Sequence, residues 1–142
     1  MMGLEFIEIG PSDVDRLRPL HTAYKLEIGE DAPTDADYAR LAGAMRAGRI
    51  RFFGCEADGR LAGCCSVAPT WSTFSYAPAG VFEDFYILPD ARHRGIARRL
   101  VRFAVERSGL GSLTVGCADC DVEMYRALGF RVPLGNLLAW DM

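Results

Sequence analysis

A basic turn that contains one glycine follows an apolar run in the middle of the chain, and its residues are suited to binding an anion. Residues 81–88 read VFEDFYIL, and residues 89–98 read PDARHRGIAR. Gly95 lets the backbone approach a ligand closely. The helix predicted to follow exposes unpaired N–H groups at its start. Full positive charges come from Arg92, Arg94, Arg98 and Arg99. Together these features predict a site for an anion with several oxygens, above all a pyrophosphate.

Two adjacent carboxylates, Glu83 and Asp84, lie inside the apolar run. Burying a carboxylate without a partner is costly, so one in such a strand is more often functional than incidental. Strict alternation places the two on opposite faces of the strand. The face of Glu83 then carries Val81, Phe85 and Ile87, and the face of Asp84 carries Phe82 and Tyr86. The alternative is that Glu83 faces a solvent-filled cleft or pairs with an arginine.

The turn has neither of the two common phosphate-loop patterns, G-x-x-x-x-G-K-[ST] and G-x-G-x-x-G. It reads Arg92-x-x-Gly95-x-Ala97, which resembles the [RQ]-x-x-G-x-[GA] signature of the GNAT superfamily of N-acetyltransferases. FEDFYILPD at 82–90 resembles that family's central strand, and MYRALGF at 124–130 resembles its later motif. The similarity covers residues 51–132 and extends to the N-terminal third only in the order of elements. The competing interpretation is an ordinary strand–helix unit with a solvated arginine face.

The resemblance implies that acetyl-CoA is the co-substrate. The pantetheine arm would lie beside the central strand like an added strand. A backbone N–H near Tyr86 or Ile87 would then donate to the thioester oxygen. The resemblance implies that acetyl-CoA is bound by Phe85, Tyr86, Ile87, Arg92, His93, Arg94, Gly95, Ile96, Ala97 and Arg98.

The resemblance also implies the two proton-transfer groups of a direct acetyl transfer. Glu83 is the expected general base for the acceptor amine, acting through ordered water. Tyr125 is the expected general acid for the departing thiolate, since a phenol with a pKa of about 10 is protonated at neutral pH. The alternative for Tyr125 is an ordinary core tyrosine. Many relatives carry an asparagine seven residues before this tyrosine, where the present chain has Ala118.

The acceptor is expected to be a small amine with additional positive charge. STF followed closely by EDFY is a feature of the polyamine- and diamine-like branch of the family, and GEDAPTDAD at 29–37 is a dense acidic loop. A concentration of negative charge at the entrance of a binding site attracts cations. The expected acceptor contacts are Glu30, Asp31, Trp71 and Asp84. Two other functions stay open: acetylation of a protein N-terminus or lysine, and a catalytically idle acyl-CoA-binding domain.

The composition of the chain limits the number of domains and the classes of protein to which it can belong. The 142 residues, half of them hydrophobic, suit one domain spanning 1–142, and a net charge of −3 gives no general attraction to nucleic acid. The residues given predict neither a secretory leader nor a membrane span, since MMGLEFIEIG lacks a basic start with a long apolar run and no window is apolar for long enough. Five cysteines, an odd number, favour reduced thiols in the cytoplasm, and Cys117-x-x-Cys120 has no second pair to complete a metal site. The family resemblance implies a homodimer.

The elements that must position these residues follow from periodicity and turn chemistry. Strands are predicted at 4–9, 51–57, 61–68, 81–88, 113–115, 130–132 and 137–140, with a loop at 69–80. Asp58-Gly59 predicts a hairpin turn between the second and third of these strands. The first helix is predicted to begin with a capping box between Ser12 and Asp15, to kink or split at Pro19, and to end at Gly29. Three further helices are predicted: one capped by Thr34 and Asp37, one over 94–108, and a short one ending at Gly129. The expected fold is a mixed α/β domain with the order β-α-α-β-β-β-α-β-α-β-β. Its sheet is expected to be mostly antiparallel and flanked by helices.

Overall fold

Five strands form one sheet in the computed structural model, which describes residues 3–141. The strands are β1 (Leu4–Ile9), β2 (Arg51–Ala57), β3 (Arg60–Ser72), β4 (Ala77–Ile87) and β5 (Leu113–Val115). Their order across the sheet is the order in the chain, and all neighbours are antiparallel except β4 and β5, which are parallel. The helices are α1 (Val14–Glu27), α2 (Asp35–Arg46), α3 (Ile96–Ser108) and α4 (Val122–Leu128). The predicted mixed α/β fold is confirmed.

Helices cover both faces of the sheet, so the domain has two apolar cores. Helices α1 and α2 pack on one face, where Leu17 and Phe52 are fully buried. Helix α3 packs on the other, where Leu100 and Phe53 are fully buried. Burying one such side chain contributes roughly 1.5–3 kcal/mol. The sheet is therefore held from both sides, and its strand ends are positioned rigidly.

Strand β4 contains a bulge that reverses part of the predicted alternation. Cys65 pairs with Phe85 and Val67 with Phe82, so Glu83 and Asp84 lie opposite the single residue Ser66. The extra residue places Phe82 on the same face as Phe85, with 5.8 Å between ring centroids. The predicted grouping of Phe82 with Asp84 and Tyr86 is therefore wrong, because alternation holds only while each residue has one partner.

The parallel pair of strands β4 and β5 is short, and the two strands separate beyond the bulge. Strand β5 pairs only with residues 80–82 of β4. Within residues 3–141, no strand lies on that side of β4 from Glu83 to Ile87. Its backbone groups there are available to a ligand. We call this opening the β4 edge.

Three local predictions in the first 80 residues are corrected. The loop predicted at 69–80 is mostly strand, because β3 continues to Ser72 and β4 begins at Ala77. The Ser12–Asp15 capping box is absent, since a 3-10 turn over Pro11–Asp13 precedes α1 and Asp13 is its N-cap. Helix α1 is continuous through Pro19.

Several turn predictions are confirmed. Thr34 and Asp37 form the predicted capping box of α2. The hairpin between β2 and β3 turns at Asp58 and Gly59, which have φ values of 53° and 79°, as a tight hairpin turn requires. Helix α4 ends at Gly129 as predicted, and the Phe130 N–H donates to the Tyr125 carbonyl in a Schellman arrangement.

The two strands predicted near the C-terminus are absent. Residues 131–141 have no regular secondary structure. Pro133 has no N–H to donate to a strand ladder. Gly135 has a φ of 99°, which bends the chain. The sheet therefore ends at β5 within the described residues.

Candidate active site

The basic turn leads from the end of β4 into the N-terminus of α3. His93 and Gly95 both have left-handed φ values, 64° and 77°, and Gly95 is the N-cap of α3. The first N–H groups of the helix therefore open onto the surface of the turn without intrahelical partners. His93, Arg94, Gly95 and Arg98 are exposed there, whereas the Ile96 side chain is buried in the core. Ala97 is partly buried against the same core as Ile96. Multiple donors and positive charge make this surface suitable for a phosphate group.

The Arg92 side chain points back into the protein. Its Nε donates to the Ile87 carbonyl at 2.8 Å, and its Nη2 donates to both Glu27 carboxylate oxygens at 2.9 and 3.1 Å. The guanidinium also lies 5.4 Å from the centroid of the Tyr86 ring. Arg92 thus ties the turn to β4 and to the end of α1, which fixes the backbone shape on which anion binding depends.

Tyr125 lies beside the β4 edge. Its half-buried ring packs against Phe82, Phe85 and Phe130, with centroid distances of 6.4, 6.3 and 6.0 Å. Burial raises the pKa of Tyr125 above its usual value, and the nearby side chains of Asp121, Cys117 and Asp84 raise that pKa further. The phenol is therefore protonated at neutral pH and can donate a proton to a group placed in this opening.

A solvent-filled cleft lies on the opposite face of β4, between the bulge, α2 and the loop that follows α1. Its volume is about 780 Å³, a size usual for small-molecule sites. The bulge brings both Glu83 and Asp84 to the cleft wall. The ionisable side chains that line it are Glu30, Asp31, Asp37, Glu83, Asp84, Lys25, Arg40, Arg49 and His21. Five carboxylates against three permanent cations make the cleft acidic.

Part of this acidic charge is neutralised by ion pairs. Glu30 pairs with Lys25 at 3.3 Å, and Asp37 pairs with Arg40. Within residues 3–141, Asp31 and Glu83 have no ion-pair partner. Glu83 is exposed at the cleft wall and is not buried in the strand, and its role as the general base stays a prediction.

Asp84 is half-buried and fixed by Ser66. The Ser66 hydroxyl donates to Asp84 Oδ2 at 2.6 Å and accepts from the Asp84 backbone N–H at 3.0 Å. Burial raises the pKa of both Tyr24 and Tyr125, and the negative charge of Asp84 adds to the rise in each. Asp84 is thus held in place by two hydrogen bonds to Ser66, and its negative charge acts on groups on both sides of β4.

The sequence did not reveal that His21 lines the cleft. Its side chain is only 7% exposed, its Nδ1 makes no hydrogen bond, and the rings of Tyr24, Tyr38 and Phe52 surround it. Burial lowers the pKa of His21, although the charge of Asp84 opposes that shift, and the neutral imidazole is favoured. The only hint in the sequence was a polar residue on the apolar face of α1, and that pattern is usual for a packing residue.

Trp71 is not brought to the cleft. It lies near the outer end of β3, where it is 59% exposed and its ring centroid is 6.0 Å from that of Tyr76. By contrast, Glu30, Asp31 and Asp84, the other expected acceptor contacts, line the cleft together.

The described residues contain no cluster of three or more metal-ligating side chains. All five cysteines are free, with Cys55, Cys64 and Cys65 buried and Cys117 and Cys120 exposed. Among residues 3–141, none of the helices has the length and apolarity needed to cross a membrane.

Comparison with known proteins places this geometry in context. The sequence profile described as "Acetyltransferase (GNAT) domain" matches residues 48–132. No curated protein sequence matches the chain significantly.

The chain is similar in structure to a probable acetyltransferase, with a TM-score of 0.82 and 21% identity over 97% of this chain and 99% of that one. It is also similar to an aminoglycoside N-acetyltransferase in complex with CoA, with a TM-score of 0.78 and 20% identity over 99% and 96%. A third similar structure is a ribosomal-protein-alanine N-acetyltransferase from Brucella melitensis biovar Abortus 2308, with a TM-score of 0.74 and 17% identity over 99% of both chains.

Proposed function

Because this chain belongs to the GNAT family of acetyltransferases, we propose that it transfers an acetyl group from acetyl-CoA to a small cationic amine. One observation carries the proposal. The β4 edge, which begins near the basic turn, and the acidic cleft lie on either side of the same bulge in β4. A thioester at the bulge would therefore meet an amine entering from the cleft.

The anion-binding turn and the β4 edge suit the two parts of acetyl-CoA. The pyrophosphate would lie on the N–H groups at the start of α3, with Arg94 and Arg98 supplying positive charge and Gly95 the close backbone approach. The pantetheine would add to the β4 edge at Phe85, Tyr86 and Ile87 as an extra strand does. The similar structure that contains CoA supports this choice of co-substrate.

The reaction would be a direct transfer within a ternary complex. The amine nitrogen attacks the thioester carbonyl carbon, so a C–N bond forms as the C–S bond breaks. The proton lost by the amine goes to Glu83 through water in the cleft, and the departing thiolate takes the proton of Tyr125. A backbone N–H of the β4 edge stabilises the negative charge on the carbonyl oxygen.

The acidic cleft supports an acceptor with more than one positive charge. Asp31, Glu83 and Asp84 are carboxylates without an ion-pair partner among residues 3–141, and Asp84 is held in place by Ser66. A concentrated negative field raises the local concentration of cations and speeds their capture. Diamines and polyamines have the matching chemistry. The free state of all five cysteines supports a cytoplasmic site of action.

A panel of acceptors tests this proposal. The chain is mixed with acetyl-CoA and a polyamine, an aminoglycoside, a neutral monoamine or a peptide with a free N-terminal alanine. Loss of thioester absorbance is the readout, because the exposed Cys117 and Cys120 would react with a thiol reagent. We expect the polycations to be the best substrates and salt to weaken their advantage.

Other outcomes of the panel would support other functions. Preference for the peptide would favour protein acetylation, a reaction named for one of the similar structures. Tight binding of acetyl-CoA without turnover of any amine would favour a catalytically idle acyl-CoA-binding domain. Preference for the neutral amine would contradict the cationic acceptor and leave the acetyl transfer itself intact.

A further inference from the structure

His21 is a buried polar residue without a hydrogen-bond partner at the wall of the acidic cleft. Its side chain is 7% exposed. Among the residues that the structure describes, its Nδ1 is the only fully buried side-chain nitrogen or oxygen with no partner. Buried polar groups in proteins are nearly always paired, so an unpaired one requires an explanation. Because His21 lines the cleft together with Glu83 and Asp84, a molecule bound in the cleft can supply the partner.

The groups packed around the imidazole do not supply this hydrogen bond. The rings of Tyr24, Tyr38 and Phe52 surround it, with centroid distances of 5.8, 6.0 and 5.7 Å. The Tyr38 hydroxyl is already bonded to Thr22 Oγ1 at 2.8 Å and donates to the Arg18 carbonyl at 3.3 Å. The aromatic packing therefore fixes the imidazole and leaves its nitrogen for a ligand.

The charges near the imidazole determine what kind of ligand suits it. Burial lowers the pKa of His21, and Lys25 adds to this decrease, against the opposing charges of Asp84 and Glu30. A neutral imidazole offers one nitrogen as a hydrogen-bond acceptor and does not repel a cation. A neutral acceptor in the same cleft as the Asp84 carboxylate suits an ammonium group, which has both positive charge and N–H donors.

We propose that His21 is a specificity-determining residue of the acceptor site, and that its imidazole accepts a hydrogen bond from the second ammonium group of the acceptor. The reacting amine lies at Glu83, and the second ammonium group lies between Asp84 and His21. The preferred acceptors are then diamines whose second amino group is primary or secondary. A quaternary ammonium group has the same charge but no N–H, so it leaves the imidazole nitrogen unpaired. This inference rests on the proposed acetyl transfer to a cationic amine and adds the residue that distinguishes one class of cation from another.

The test compares two acceptors of equal charge, putrescine and an analogue in which a trimethylammonium group replaces the second amino group. For the wild type, kcat/KM should be about tenfold or more higher with putrescine, because the analogue lacks a hydrogen bond made by a charged group. His21→Phe keeps an aromatic ring and should remove this preference by raising the KM for putrescine, with the KM for acetyl-CoA unchanged. His21→Asn should restore part of the preference, because its amide places a polar atom near the position of Nδ1. Loss of packing alone would affect both acceptors equally.

An NMR titration measures the same contact without acetyl transfer. The chain contains two histidines, so the imidazole signals that are absent from the spectrum of His21→Phe belong to His21. In the presence of CoA, which has no acetyl group to donate, putrescine should shift the His21 signals and leave those of the exposed His93 in place. The trimethylammonium analogue should shift the His21 signals less.

Two results would overturn the proposal: His21 signals that do not move at any putrescine concentration, or a preference for putrescine that His21→Phe retains. A chain that acetylates no amine would contradict the proposed function instead. The titration would still decide whether His21 binds the ammonium group, so the two failures are distinguishable.

Discussion

Ser66 and Asp84 secure each other across the bulge of β4. The Ser66 hydroxyl donates to the Asp84 carboxylate at 2.6 Å and accepts the Asp84 backbone N–H at 3.0 Å. Ser66 is fully buried. A bulge leaves one residue outside the strand ladder, and here the serine supplies the missing backbone partner. The same bulge turns Glu83 and Asp84 into the cleft, so the site depends on it.

The first prediction is that Ser66→Ala destabilises the fold. Removal of the hydroxyl leaves the Asp84 N–H without its partner, and the cost should be about 1–3 kcal/mol. Urea denaturation of the variant and the wild type measures this loss of unfolding free energy. Ser72→Ala is the control, because its hydroxyl accepts only the exposed Phe74 N–H of a surface turn, and we expect less than about 0.5 kcal/mol. Equal stability losses in the two variants would show that the serine does not support the bulge.

The second prediction concerns the anion-binding turn. Gly95→Val should weaken acetyl-CoA binding by more than tenfold, or about 1.4 kcal/mol, because a β-branched side chain obstructs the ligand and strains a left-handed backbone. Gly109→Val is the matched control, since Gly109 flanks the other end of α3 with a φ of 66°. A valine at position 109 has the same left-handed backbone strain, but it lies away from the ligand. Calorimetry that finds the same affinity in both folded variants would remove Gly95 from the site.

The third prediction concerns Tyr125, the proposed general acid. Tyr125→Phe keeps the ring packed against Phe82, Phe85 and Phe130 and removes only the hydroxyl. Turnover should fall on the order of 10²-fold, with acetyl-CoA affinity nearly unchanged. The pKa of Tyr125 is raised above 10.0. The phenol therefore keeps its proton below pH 10.0, and the wild-type rate should not decrease in that range through deprotonation of Tyr125. Tyr76→Phe, on the exposed hairpin, is the control. A Tyr125→Phe variant with full activity would mean that the tyrosine is only a packing residue.

The fourth prediction concerns Glu83, the proposed general base. Glu83→Gln should lower kcat/KM on the order of 10²-fold near neutral pH, and less in alkaline solution, where more of the acceptor amine is already deprotonated. Asp84→Asn is the comparison, because Asp84 lines the same cleft but is bound by Ser66. A pH–rate profile parallel to the wild-type profile would argue against Glu83. If Asp84→Asn alone changed the profile, the base would be Asp84.

The fifth prediction follows from the buried His21. Its pKa is lowered from 6.5 by burial and by Lys25, against the opposing charges of Asp84 and Glu30. The unfolded chain therefore binds the proton at a higher pH than the folded chain does. The free energy of unfolding should thus decrease as pH falls below 6.5, down to the folded pKa.

The variant His21→Phe tests this relationship. It keeps an aromatic ring among Tyr24, Tyr38 and Phe52 and removes the titration. Its loss of unfolding free energy between about pH 7.5 and about pH 5.5 should be smaller than that of the wild type. The control is His93→Asn, which removes the other histidine from an exposed left-handed position that asparagine tolerates. If the control reduced the pH dependence as much as His21→Phe, His21 would not be its source.

Local sequence was enough to predict the elements whose signals lie within a few residues. The Thr34–Asp37 capping box, the Asp58-Gly59 turn and the Gly129 helix end were all predicted and are present. Each is formed by backbone and side-chain groups close in the chain, so its free energy depends little on distant packing. The strand–turn–helix unit at residues 81–98 and the family that it indicates were readable for the same reason.

The tertiary structure decided the features that depend on distant partners. The bulge at Glu83 and Asp84 depends on Ser66, which is 18 residues away, and so alternation alone assigned the wrong faces. Arg92 points to Glu27, 65 residues away, although its position in the motif suggested a phosphate contact. His21 became part of the cleft only when α1 packed over β4. The strands predicted at 130–132 and 137–140 had suitable residues, but a strand needs a neighbour with which to pair its N–H and C=O groups, and no neighbouring strand is present within residues 3–141.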